Sequence, residues 1–187
     1  MAGWLKRRAP KRRFSPKDGL EYVIGQEVID FTVSILKAYG AEKPAAEGVV
    51  YWGGRLHENV WHVCAAVAPV VQASRYGFQT GYDTNGLFVS FLCDNELRYV
   101  SQVHSHPSSY VDHSRVDDEE TAFRSEGLLS IVVPDFGSNG LLPWKQCGVH
   151  IYTKGVFKRI TDKHLLKHFQ VDSCLKDDII LKDFRYD

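Results

Sequence analysis

The stretch from His104 to Asp117 restricts this chain more than any other. It reads His104-Ser105-His106, then seven residues, then Ser114, then two residues, then Asp117. The run before it, Tyr99-Val100-Ser101-Gln102-Val103, has strand character. Alternate residues of a strand project from one face, so His104 and His106 point at one spot. Asp117 opens an acidic, helix-forming segment, Asp117-Asp118-Glu119-Glu120, and a loop can fold it back to supply a carboxylate there. Two imidazoles, one carboxylate and an open fourth position describe a catalytic zinc site.

Taken singly, these residues mean little. Ser114 and Asp117 match a helix-capping pattern, and a histidine pair on a strand is commonly a surface feature. Their joint spacing carries the signal. The pattern His-x-His-x7-Ser-x2-Asp resembles the signature of the JAMM/MPN+ metalloproteases. That resemblance implies an α/β fold, the MPN (cytidine-deaminase-like) sandwich of a mixed β-sheet flanked by helices. It implies zinc held by His104, His106 and Asp117. It assigns Ser114 a hydrogen bond to the oxyanion of the tetrahedral intermediate. It also implies a catalytic glutamate at the start of an upstream strand, seven residues before a glycine. Glu47 lies seven before Gly54 and directly precedes an apolar run, so it matches. Such proteins often have a glycine midway between the two. Here Gly48 comes early, and Val50 or Tyr51 stands in the middle. Glu42 and Glu58 are the alternatives, and Glu58 falls in a turn.

Zinc with three protein ligands keeps a position for water and lowers that water's pKa toward about 7. Peptide hydrolysis then needs a base to take the water's proton and pass it to the leaving amine. Glu47 is expected in that role. The other histidines, His57, His62, His113, His150, His164 and His168, fit no metal spacing.

The resemblance further implies a substrate. Similar proteins release ubiquitin or ubiquitin-like proteins, or trim residues from a ubiquitin-like C-terminus. The chain looks like the stand-alone prokaryotic members, which points to a bacterial ubiquitin-like conjugation or antiphage pathway with E1-like and E2-like partners. Processing of a sulfur-carrier protein is a second expectation. A non-catalytic MPN scaffold is a third, disfavoured because all ligand positions are intact.

A chain of 187 residues is long enough for one domain with a full core. No apolar run approaches the roughly 20 residues needed to span a bilayer. The start, Met1-Ala2-Gly3-Trp4-Leu5, lacks the apolar core of a secretory signal. Cys64, Cys93, Cys147 and Cys174 lie far apart and read as reduced thiols of a cytoplasmic protein. The zero net charge hides an asymmetry. Residues 1–17 carry seven Lys/Arg and no acid, while the rest carries a net charge of −7. Residues 1–17 therefore read as a basic arm, 18–170 as the catalytic domain and 171–187 as a C-terminal tail. Only Trp4 and Phe14 accompany the basic run, so a nucleic-acid surface is not supported.

Periodicity predicts a strand over Leu20–Ile24 and a helix over Gln26–Tyr39, with Gly40 as its left-handed cap. Strands follow at Gly48–Arg55, ended by its glycines, and Trp61–Val67, paired as a hairpin. A helix is expected over Asp83–Leu97, capped by Asp83 or Thr84, then a strand over 98–104 and a helix over Ser114–Ser125. Strands at Leu128–Val133, Gln146–Thr153 and Val156–Ile160 and a short helix around Leu165 complete the pattern. The cluster Ile179-Ile180-Leu181 is expected to dock on the body or on a partner.

Overall fold

The computed structural model describes residues 16, 19–121, 123–175 and 179–186. The basic arm thus lies outside the described residues, except for Pro16. The first described elements are β1 (Glu21–Gly25) and α1 (Gln26–Ala41). The hairpin of β2 (Val49–His57) and β3 (Val60–Ala68) follows, then a small hairpin of β4 (Gln72–Ser74) and β5 (Gly77–Gln79). Next come α2 (Tyr82–Asp94), β6 (Arg98–Ser105), α3 (Arg115–Glu120) and β7 (Leu129–Val133). The hairpin β8 (Gly148–Thr153) and β9 (Val156–Arg159), α4 (Asp162–His168), β10 (Phe169–Asp172) and β11 (Ile180–Asp183) complete it.

Among the described residues, this is an α/β fold built on a mixed sheet of nine strands. Their order is β10-β1-β3-β2-β6-β7-β8-β9, with β11 also paired to β3. Alternation along the strands sorts the apolar residues to two faces. Val50, Trp52, Val103, Ile131 and Val149 face α1, whose Val28, Ile35 and Leu36 complete the larger core. Val49 and Tyr51, one residue out of phase, join Phe88 and Leu92 of α2 in a second core. The Trp52 indole inside the larger core donates to Thr32 Oγ1 at 2.8 Å, which satisfies the one polar atom of a buried tryptophan.

The structure moves several predicted boundaries. Gly40 is not a left-handed cap. It lies inside α1, and a Cβ there would sit 2.6 Å from Phe136 Cβ, so close packing explains the glycine. Gly53 and Gly54 do not end β2. They sit at irregularities in its pairing with β6 and β3, and the strand runs on to His57. The N-cap of α2 is Gly81, and Asp83 contributes its charge to the first turn instead. Helix α3 is shorter than predicted. The backbone leaves the helical region at Thr121, whose hydroxyl donates to the Asp117 carbonyl. The stretch after residue 170 docks on the body: β10 pairs with β1, and β11 runs parallel to β3. No helix among the described residues is long and apolar enough to cross a membrane.

Strand β6 lies antiparallel to β2 and parallel to β7. A parallel pair needs a crossover connection. Here the crossover leaves the C-terminal end of β6 and contains α3. In open α/β sheets, ligands gather at such strand ends.

Candidate metal centre

His104 and His106 end β6 and its continuation on one face, as alternation predicts. Their Nε2 atoms lie 3.3 Å apart. The crossover brings Asp117 back to both: its Oδ1 is 3.2 Å from His104 Nε2 and its Oδ2 is 3.2 Å from His106 Nε2. All three side chains are buried. Among the described residues, this is the group whose ligand atoms converge as a metal ion would need.

The surroundings fit a cation. His106 Nδ1 lies 2.8 Å from the Tyr110 carbonyl, an acceptor only, so Nδ1 carries a proton, and in the neutral ring Nε2 directs a lone pair inward. Fixing the second ring nitrogen in this way is typical of metal-ligating histidines. The Ser114 backbone N–H donates to Asp117 Oδ2 at 2.6 Å and orients the carboxylate. Lone pairs of two imidazoles and a carboxylate thus meet in a buried space, an arrangement a cation stabilises. Burial alone would raise the Asp117 pKa, but the two imidazoles overcome it and hold the carboxylate well below its ordinary range. Burial disfavours charge on His106, yet the carboxylate outweighs it and raises the His106 pKa. At fully buried His104, desolvation wins and the pKa falls.

The predicted glutamate is also here. Val49 pairs with His104, which puts Glu47 beside His106 across the β2–β6 ladder. Glu47 is 4% exposed. Burial pushes its pKa up to about 7, with His106 opposing and Asp117 adding to the rise. Its backbone N–H donates to the Ser74 carbonyl of β4 at 2.8 Å. Glu42 is exposed at the end of α1, and Glu58 occupies the left-handed turn at the far end of the β2–β3 hairpin. Neither approaches the histidines through the ladder.

Ser114 is the N-cap of α3. Its Oγ accepts from the Asp117 N–H at 3.2 Å, and the Asp117 carboxylate reaches back to the Ser114 N–H. The capping pattern and the ligand pattern are therefore one structure: the capping box sets the carboxylate that faces the histidines. Accepting that bond leaves the hydroxyl proton for donation elsewhere.

Sequence reasoning missed the β4–β5 hairpin. It packs against the centre through Phe78, whose ring lies 5.7 Å from that of His104. Beside it opens a groove of about 390 Å³ lined by Gln72, Ser74, Tyr76, Phe78 and Val116. A smaller recess continues past Phe78 and Gln102 to Asp117. Three-residue strands carry too little periodicity to be read from sequence. Sequence reasoning also passed over His113 and His150, which are buried with their rings 4.1 Å apart.

No family model and no curated protein matches the chain. Among solved structures, it is similar to a protein of Desulfitobacterium hafniense determined in solution as a structural-genomics target. The TM-score is 0.60 at 14% identity, over 83% of this chain and 95% of that one. At that identity the likeness is one of fold alone.

Proposed function

We propose that this chain is a zinc-dependent peptidase or isopeptidase of the JAMM/MPN+ type, with an MPN sandwich as its fold. It cleaves after the C-terminal tail of a ubiquitin-like protein, in a bacterial conjugation or antiphage pathway. One observation carries this reading: His104, His106 and Asp117 converge at the end of β6, with buried Glu47 beside them. Two nitrogens and one carboxylate are a donor set suited to catalytic zinc, which leaves room for water.

Zinc bound there supplies Lewis-acid polarisation of the scissile carbonyl and a lowered pKa for water. The chain's own residues do the rest. Glu47 takes the proton of the attacking water and gives it to the leaving amine. Its burial, which raises its pKa to about 7 in the metal-free chain, favours uptake of that proton. Ser114 donates a hydrogen bond from its hydroxyl to the developing oxyanion. The groove between the β4–β5 hairpin and α3 supports an extended substrate, because it is open, partly apolar and continues toward Asp117. A tail lying there could add as a strand, with main-chain hydrogen bonds supplying affinity.

Elemental analysis of the purified protein beside His104→Ala tests the centre. About one zinc per chain, lost in the variant, is expected of three-ligand catalytic sites. Cleavage of ubiquitin-like and sulfur-carrier fusions carrying a residue beyond a terminal Gly-Gly then tests the reaction. Zinc uptake without cleavage of any fusion would leave a binding scaffold as the better reading.

A further inference from the structure

The weakest part of the proposed centre, by construction, is the placement of Asp117. The histidines stand on a strand held on both sides, by β2 and β7. Asp117 stands on a helix of six residues at the end of an open loop. A helix that short has no stability of its own. A metal ligand must nonetheless be held to about 0.5 Å. Something outside α3 has to fix it.

His113 meets that need. It directly precedes the capping residue Ser114. Its Nδ1 lies 3.1 Å from Asp118 Oδ1, the residue next to the ligand. Its Nε2 lies 2.9 Å from Ser130 Oγ on β7. The carboxylate can only accept, so Nδ1–H donates to Asp118, and Nε2 shares its hydrogen bond with the Ser130 hydroxyl. Both ring nitrogens are thus used.

The floor beneath this imidazole is a row of polar residues crossing four strands. Gln102 pairs with Ser130, Ser130 with His150, and His150 with Arg159. This row shares the face of His104 and His106. The His113 ring packs on His150 at 4.1 Å and on Phe157 at 4.7 Å. The two preceding residues are seated on the same strands. Asp112 pairs with Arg159 at 2.7 Å, and the Val111 carbonyl fills the space a Cβ at Gly148 would need.

From this geometry we infer that His113 is a positioning residue. It ties the Asp117-bearing helix to the sheet that carries His104 and His106, through Asp118 on one side and Ser130 on the other. The inference rests on the proposed metal centre and extends it to the residues that shape it.

Two variants separate hydrogen bonding from packing. His113→Phe keeps a ring against His150 and Phe157 but removes both hydrogen bonds. Ser130→Ala removes the sheet anchor with a single hydroxyl, and serves if the first variant fails to fold. Three readouts are taken on each: zinc affinity by chelator competition, the visible spectrum of the cobalt-substituted protein, and amide hydrogen exchange over residues 114–121 in metal-free protein. Zinc affinity is expected to fall about 10–100-fold, with an altered cobalt spectrum and faster exchange confined to 114–121. Wild-type zinc affinity in both variants overturns the inference and leaves the proposed function standing. If the wild-type protein itself takes up no zinc, the proposed function falls. The tether is then judged by exchange alone: acceleration over 114–121 supports it, and unchanged exchange overturns it.

Discussion

Two faces of the same three strands put one alternation to opposite uses. On β6, β7 and β8, Val103, Ile131 and Val149 stand side by side in the core under α1. One residue along, Gln102, Ser130 and His150 stand side by side on the face that carries the candidate metal centre. The first row stabilises by apolar area removed from water, which is non-directional and roughly proportional to that area. The second works through particular partners: the Ser130 hydroxyl shares a hydrogen bond with His113, and His150 packs against the same ring. The apolar face should therefore tolerate changes of shape at a graded cost in stability. The polar face should lose function at single atoms, whatever the change in stability.

The largest expected effect lies on the polar side. Glu47→Gln keeps the size and burial of the side chain but cannot carry the proton. Cleavage should drop about 10²–10⁴-fold, with zinc content unchanged by elemental analysis. Cleavage at the wild-type rate would remove Glu47 from the mechanism.

The apolar side gives the mirror image. Ile131 is fully buried in the larger core. Ile131→Ala should destabilise the protein by about 2–5 kcal/mol in urea unfolding. Its zinc affinity, measured well below the unfolding transition, should match that of the wild type. A change in affinity at that position would dissolve the contrast between the faces.

Glu47 also couples the centre to pH in metal-free protein. Its folded pKa is raised from 4.5 to about 7, so folding favours the protonated carboxyl. That contribution is fully present below pH 4.5 and is lost as pH rises through 7. The loss is on the order of 3 kcal/mol. Glu47→Gln should equal the wild type in acid and exceed it in stability above neutral pH. Denaturant midpoints of the two metal-free proteins across pH 4–8 would show parallel curves if the burial of Glu47 carried no such cost.

The smallest effect sharpens the comparison most. Thr161 caps α4 through the His164 N–H, and Ser114 caps α3 through the Asp117 N–H. Substituting alanine at either should cost about 1 kcal/mol of stability. Only Ser114→Ala should also slow cleavage, by about 10²–10³ if its hydroxyl stabilises the oxyanion. Equal cleavage by the two variants would make Ser114 a cap and nothing more.

Much of this was legible in the chain. Helix α1 announced itself through Val28, Ile35 and Tyr39 at helical spacing, because one of its faces is buried along its whole length. The β8–β9 turn showed at Lys154-Gly155, where both residues adopt positive φ. The centre showed at His104, His106 and Asp117, because strand alternation and a helix cap are local geometries with set spacings. The β4–β5 hairpin and the short reach of α3 were not legible. Their bounds are decided by what they pack against, not by their own periodicity.

The same division holds for the whole protein. Sequence determined which residues can act together within a few positions: two histidines on one strand face, and a serine and an aspartate in one capping box. Spacing to Gly54 pointed to Glu47, 57 residues before His104, and tertiary structure showed that it lies beside them across a ladder. Tertiary structure also decided that His113 rests on Ser130 and His150 from two further strands. Backbone geometry is short-range and repeats along the chain, so spacing reveals it. Strand order and register are set by burial over the whole sheet, and no local pattern of residues states them.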